Sequence, residues 1–458
     1  YGATIAPDGT LEINGELDVQ SLSTLDITVR ETQETTDQLK INNADFALSN
    51  LNARITVVDN LANPLSLDHI IMSSSGNLSG ETNSPFNGQE IIEEYLLFNF
   101  DTVLTNGNEV RVVAEVQPDA ELSSSLRYAG SEGIRAGFGN MKNSVFTRTK
   151  QLRRNLVATA HSISQEAYLM TNTNAPAGAQ GPGDQNTIFD MHVWMDFFSG
   201  QGDYDQVGNS SSFTLNNSGT TIGADRLIGD SLTAGFNYTY ARSDARTAKR
   251  DQVDTETYWL GAYAEWVGQN GLYFDTLAAF GWSEYDSVRA EEGYRGSASY
   301  DGQDIGAYLD VGQYYYYENF AFSPYVGLNM LVTRSEGHTE TSQSGIGVKV
   351  DSSERTWLES AIGLKARQRV DTFAGRFQLT AYGEWLHDFV QDDIDSTVSF
   401  ADFSVGTARI SPDEDMFNAG VGLSWRSTDY MEIGVGYNGR FSDQYEEHNG
   451  SIMIDIMY

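Results

Sequence analysis

The chain has no cysteine. That excludes a disulfide scaffold, a thiolate metal site and a cysteine nucleophile. Histidine is scarce, with six residues that show no ligand spacing, so no metal centre and no cofactor are expected. Positive charge is scarce too: 28 Lys and Arg stand against 64 Asp and Glu, a formal net charge of −36. Such a surface repels phosphate backbones, so nucleic acid is not an expected partner. No stretch approaches the roughly 18 consecutive apolar residues of a spanning helix, which excludes a helical membrane protein. The sequence opens at Tyr1 without a Met, a basic region or an apolar leader, and is expected to be the mature C-terminal part of something longer.

What is abundant points to β-structure. The chain carries 24 Tyr, 22 Phe and 44 Gly but only 8 Pro among 458 residues. Aromatic residues favour strands, and glycine favours tight turns. The mean hydropathy of −0.38 looks soluble. A strand with one face to lipid and one to water would give the same bulk value.

Three regions are expected: 1–118, 119–187 and 188–458. The first is polar, with β-runs such as Leu11–Leu17, Arg54–Val58, Tyr95–Phe100 and Glu109–Val116 between turn signals such as Pro7-Asp8-Gly9 and Asn106-Gly107. In the second, Met141, Val145, Leu152, Leu156, Ala160 and Ile163 recur at helical spacing, from about Leu122 to Met170. This helix is basic, with Arg135, Lys142, Arg148, Lys150, Arg153 and Arg154. An ordinary surface helix would also carry such charge. A Gly/Pro/Asn-rich stretch, Asn172 to Asn186, reads as a linker.

From Ile188 the period becomes two. Phe417, Ala419, Val421, Leu423 and Trp425 alternate with small or polar residues, as do Met431, Ile433, Val435 and Tyr437. A soluble sandwich would alternate in the same way. The connections separate the two, because about twelve strands are joined by short turns (Leu227 to Ser231, Gly268 to Gly271, Asp371 to Ala374) alternating with longer polar links. Those links are read as Gly200 to Ser211, Ser243 to Asp254, Ser287 to Ser297, Ser335 to Ser353, Asp392 to Asp415 and Ser442 to Asn449. Short turns alternating with long loops are the pattern of an outer-membrane barrel. Trp266, Tyr273, Tyr314 to Tyr317, Phe320, Trp425 and Tyr430 cluster beside the short turns, as rings at a membrane–water boundary do. A sheet in lipid must also close, since each bare backbone group costs several kcal/mol, roughly. The expected fold is therefore all-β: an antiparallel transmembrane β-barrel of about 12 strands with an α-helix in its pore, after a β-rich stub. Luminal acids such as Asp190, Asp196, Asp225, Asp275, Asp310, Glu384 and Asp455 are candidates to pair with the helix.

At this point the sequence resembles the autotransporter, or type V secretion, family. The likeness rests on Trp194 with Phe197-Phe198-Ser199-Gly200-Gln201-Gly202-Asp203-Tyr204-Asp205, then Gly219 to Asp225, then Ala234 to Ala245, with Pro324-Tyr325-Val326-Gly327-Leu328 and Trp385-Leu386-His387-Asp388-Phe389. The chain ends on Ile452, Ile454, Ile456 and Tyr458, which is similar to the C-terminal assembly signal of outer-membrane barrels. Residues 1–118 resemble the end of a passenger, a β-helix with its autochaperone cap, through Asp37 to Ile41, Ser74 to Gly80 and Val110 to Ala114. The resemblance implies an outer-membrane translocator that exports its own N-terminal passenger to the cell surface. The expected partners are outer-membrane lipid, the barrel-assembly machinery, periplasmic chaperones and the passenger itself, around a monomeric barrel. Helix–lumen ion pairs are expected among Arg148, Lys150, Arg153, Arg154, Asp190, Asp225, Asp275 and Glu384. Some family members cut the helix at an asparagine, which makes Asn140 and Asn143 candidate cleavage positions, though no Asn-Asn pair accompanies them.

Two other functions are weighed. A permanently plugged pore or surface anchor would need the same barrel without secretion. An outer-membrane enzyme would need a nucleophile; His387-Asp388 with Ser396 or Ser399 can be written as a triad, but no G-x-S-x-G elbow accompanies it. Asp392-Asp393-Asp395 and Asp413-Glu414-Asp415 lack EF-hand spacing. No catalytic residue is expected.

Overall fold

The computed structural model describes residues 4–14, 23–30, 32–42, 44–58, 67–92, 98–116, 125–146 and, apart from short stretches, 191–457. The first eleven strands are β1 (Thr4–Ile5), β2 (Thr10–Asn14), β3 (Ser23–Val29), β4 (Gln38–Asn42), β5 (Phe46–Ala47), β6 (Leu51–Val57), β7 (Asp68–Ser74), β8 (Leu78–Ser79), β9 (Gly88–Ile92), β10 (Phe98–Thr105) and β11 (Glu109–Val116). Strands β1-β3-β6-β9 stack in parallel, as do β2-β4-β7 and β5-β8. Like residues therefore stack on like: Ile27 sits opposite Ile55, which sits opposite Ile91. The inward columns are fully buried at Leu25, Ile27, Val29, Leu39, Ile41, Leu51 and Ile55. This is a β-solenoid, in which each coil buries its apolar side only against its neighbours. The hairpin β10–β11 ends it by pairing antiparallel to β7, which covers an edge that would otherwise stay open.

The later strands are β12 (Met191–Tyr204), β13 (Phe213–Ile228), β14 (Leu232–Thr247), β15 (Gln252–Val267), β16 (Leu272–Glu291), β17 (Tyr294–Gln313), β18 (Tyr315–Tyr317), β19 (Phe320–Ser335), β20 (His338–Thr339), β21 (Thr341–Ser342), β22 (Lys349–Val350), β23 (Ser353–Thr372), β24 (Gly375–Asp388), β25 (Ser396–Phe400), β26 (Phe403–Ala408), β27 (Asp415–Thr428), β28 (Met431–Phe441) and β29 (Tyr445–Met457). Twelve of them form one antiparallel ring: β12 to β17, β19, β23, β24, β27, β28 and β29. The ring closes because β29 pairs with β12 along its length, from His192 opposite Met457 to Tyr204 opposite Tyr445. No sheet edge is then left in lipid.

Alternation assigns the faces. Phe236, Leu260, Val326, Ile362, Leu379, Val421, Val435 and Ile452 are exposed on the outside. Their neighbours in sequence point into the lumen. There, Trp194, Tyr263, Trp259 and Tyr325 each lie across a glycine on the adjacent strand: Gly223, Gly235, Gly281 and Gly363. A side chain at any of these positions would occupy the space of the ring.

The connections differ from the expected alternation. The short turns at 229–231, 268–271 and 373–374 are present, with Gly229, Gly271 and Gly375 at positive φ. On the opposite side, three of the six expected long links are mostly strand. β16 and β17 stay paired up to Glu291 opposite Tyr294, β14 and β15 to Arg246 opposite Gln252, and β28 and β29 to Phe441 opposite Glu446. These ribbons are polar on the outward face, as at Asp254, Asp286 and Ser299, so the apolar period stops while the backbone ladder continues. Three connections remain: 205–212, which is short because β12 runs on to Tyr204, and two long ones, 336–352 and 389–414, which join each other through the sheet β20-β22-β25-β26. Val350 of this sheet and Val348 just before it belong to the buried core of the N-terminal solenoid, which seats that solenoid at the long-loop end of the ring.

Candidate functional site: the helix in the lumen

Residues 125–146 form helix α1, and all but Arg127, Ser131 and Asn143 are buried. The 22 described helical residues span about 33 Å, enough to cross a bilayer's hydrocarbon core, and they do so inside the ring. At its start, Ser125 Oγ accepts the Ser211 amide and Arg127 donates to the Asp351 carbonyl, both at the long-loop end. In the last described turn, Phe146 packs on Tyr308 in the half nearer the short turns. The helix therefore runs from the solenoid end toward the start of β12. Met141 and Val145, expected on one apolar face, are fully buried, but so is most of the circumference. The ring encloses the helix, and a solvated charged face does not form.

One side of α1 lies close against the wall. Gly130, Gly133 and Gly137 face Tyr285, Ser243 and Ala241, and the space a Cβ would need at Gly133 is taken by Ser243. On the wall beyond, Gly306 leaves room for the Phe138 ring. Apolar contacts continue through Phe138 on Trp259 at 5.4 Å and Tyr128 edge-on to Phe213 at 5.3 Å.

The polar contacts form three groups. Near the outer end, Arg135 bridges Glu132 one turn earlier (3.3 Å) and Glu359 on β23. Asn329 donates to the other oxygen of Glu359 at 2.6 Å. Arg355 binds Glu132 at 2.9 Å while its guanidinium stacks on Trp357 at 4.1 Å and Tyr128 at 5.3 Å. In the middle, the Asn140 side-chain amide donates to Asn217 (3.1 Å) and Asn449 (3.3 Å). Below, Ser144 pairs with Asp196, and the Lys142 ammonium lies 4.8 Å from the centre of the Tyr308 ring.

Arg148, Lys150, Arg153, Arg154, Asp190 and Tyr458 lie outside the described residues. Asp225 accepts the Tyr263 hydroxyl at 2.9 Å, and that hydroxyl accepts the Trp194 indole at 2.9 Å. Glu384 accepts the hydroxyl of Tyr325 at 2.5 Å and the amide of Asn418 at 2.9 Å. Asp275 is fully buried in the wall, directly opposite Asp310 on β17. The ion pairs of the described helix run instead through Glu132, Glu359 and Arg355, which sequence reasoning passed over. A signal was present: Arg355, Trp357 and Glu359 share the luminal parity of β23. Ile452 and Ile456 are exposed on the outer face of β29, with Ile454 between them. Asn143 lines a cavity of about 130 Å³ between α1 and the β23–β29 wall. His387 pairs with Asp415 (2.9 Å) on the outside of the ring, whereas Asp388 accepts the amides of Leu358 and Val390. His387 and Asp388 therefore do not pair with each other, because successive residues of a strand point to opposite faces.

The autotransporter beta-domain family model matches residues 193–438. Outer membrane protein A of Rickettsia conorii is 22% identical over 307 residues, which is 62% of this chain and 15% of that protein. Outer membrane protein B of the same organism is 22% identical over 286 residues, 58% of this chain and 17% of that protein. The chain thus spans less than a fifth of the length of these relatives. Among solved structures, the translocator domain of the autotransporter NalP from Neisseria meningitidis superposes with a TM-score of 0.51 at 17% identity, over 66% of this chain and 98% of that one.

Proposed function

Because the chain belongs to the autotransporter β-domain family, we propose that it exports its own N-terminal passenger through the ring and then anchors it at the cell surface. One observation carries this reading. The solenoid and the first residue of β12 lie at opposite ends of a closed barrel, and the helix that joins the two regions in sequence runs down the lumen. A chain that starts β12 at the short-turn end and displays a folded solenoid at the other end has passed through the ring. The division into a passenger end (1–118), a linker with the threading helix (119–187) and an anchor (188–458) follows from the same reading.

In this reading the barrel is a conduit rather than a catalyst. The His387–Asp415 pair faces outward between Trp385 and Phe389 rather than into the lumen. Arg148, Lys150, Arg153 and Arg154 would continue the helix–wall pairing toward Asp225, Asp275 and Glu384. The outward isoleucines before Tyr458 suit recognition by the barrel-assembly machinery, with periplasmic chaperones keeping the chain unfolded beforehand. Release of the passenger would cut the helix at Asn140 or Asn143. The mass of the barrel fragment tests that: a fragment beginning at Met141 or Ser144 supports it, and an intact chain on mature cells refutes it.

Export itself is tested by protease shaving of intact cells after a pulse of label. Residues 1–116 are expected to become protease-accessible from outside within minutes while the barrel stays protected. A passenger found only in the periplasm would refute export and favour a permanently plugged anchor.

A further inference from the structure

The cations of the lumen are unevenly placed. On the short-turn half of the wall, β12, β13, β15, β16 and β17 contribute the buried acids Asp196, Asp225, Glu265, Asp275 and Asp310. The luminal face of β23 has an excess of cations: Arg355, Lys365, Arg367 and Arg369 share one parity with two acids, Glu359 and Asp371, and run from the outer end to the turn at 373–374. In a chain with 28 Lys and Arg, four stand on one face of one strand. Arg355 holds Glu132, Lys365 holds Asp310 and Arg369 holds Asp371 at 2.7 Å, while Arg367 lies 5.5 Å from the centre of the Tyr314 ring.

Lys365 and Arg367 border the cavity beside α1. From the helix side, Lys142 faces the same cavity, nine-tenths buried, over the Tyr308 ring and with no hydrogen bond or ion pair among the described residues. The cavity's two acids, Asp196 and Glu384, are held by Ser144, and by Tyr325 and Asn418.

The cargo has the opposite charge. Residues 1–116 carry eighteen Asp and Glu against four Lys and Arg. We propose that the luminal face of β23 is the lane along which acidic, extended passenger segments pass, with their carboxylates meeting the cations of the strand. An extended chain places every second side chain on one side, about 6.7 Å apart, and the luminal residues of β23 have the same pitch. Charges of one sign lining a confined passage concentrate and steer a partner of the other sign. The inference rests on the translocator reading and adds a preference for acidic cargo.

The test uses the full chain in cells, with an unstructured insert of about twenty residues before Tyr1 that is either acidic (Asp/Ser/Gly) or neutral (Asn/Ser/Gly). Surface arrival is followed by pulse-chase and external protease, and heat-modifiable migration checks that the barrel has folded. The variant Arg367→Gln with Lys142→Gln is expected to slow the acidic cargo by roughly three- to tenfold against the neutral one. Arg367→Lys keeps the charge and should export both like the unaltered chain. Equal slowing of both cargoes, or of neither, overturns the lane. If Arg367→Gln does not fold, Lys142→Gln alone, which leaves the wall intact, must still separate the two cargoes or the lane is refuted. An unaltered chain that brings neither cargo to the surface overturns the translocator reading itself.

Discussion

Replacing Arg135 with methionine should loosen the helix from the pore. Arg135 is buried between Glu132 and Glu359, each 1% exposed. Methionine keeps much of the volume and removes the charge. Glu132 retains Arg355 at 2.9 Å, but Glu359 is left buried with the Asn329 amide as its remaining hydrogen-bond donor. Breaking a buried pair from one side costs about 3–5 kcal/mol. The lower figure, about 3 kcal/mol, is about a hundredfold in the ratio of seated to unseated helix. The assay is single-channel conductance of the purified full chain in planar bilayers, where unseating appears as openings that the unaltered protein shows about a hundred times less often. Arg135→Met with Glu359→Met removes both charges, and removing both partners of a buried pair is close to neutral. The double variant should therefore return to within about 1 kcal/mol of the starting behaviour. If the single variant opens no more often, or the double variant opens as often as the single, the ion pair does not hold the helix.

Three further outcomes are expected. Gly306→Leu places a side chain where the Phe138 ring sits and should destabilise helix seating by about 1–3 kcal/mol, read as a lower temperature for heat-modifiable migration. Val421→Lys puts a charge on the lipid face, between Phe417 near one boundary and Trp425 near the other. It should cost about 2–4 kcal/mol of folding stability in vesicles titrated with denaturant, whereas no effect would deny that this face meets hydrocarbon. In the solenoid, burial raises the Asp37 carboxyl, but the Gly9 and Thr28 amides and the Arg30 guanidinium outweigh it, so its pKa lies below the usual 3.8. The stabilisation is then complete above the unfolded value and is lost as pH falls through the folded one, that is, below about pH 4. Asp37→Asn should flatten the pH dependence of solenoid protease resistance in that window, and an unchanged profile would remove Asp37 from the account.

Much of this architecture is local, and local features are legible in a sequence. Outward and inward residues alternate because a strand's side chains do, so Phe417 to Trp425 reads as a two-faced strand without any knowledge of its neighbours. The helix around Met141 and Val145 is legible from its period in the same way. What the sequence left open depends on register and closure. The ribbons at 246–252 and 286–299 look like loops because their apolar signal fades, yet their backbones stay paired. Glu359 becomes the helix's partner only because ring closure turns β23 to face Arg135, 224 residues away in the chain. Asp225, Asp275 and Glu384 have the right charge and the right parity, but Tyr263, reaching across β14, holds Asp225, and Asn418 on the adjacent strand holds Glu384. Side-chain parity was set by covalent geometry and so was written in the order of residues. Which buried charge meets which was decided by the distances that a closed twelve-stranded ring imposes on the helix inside it.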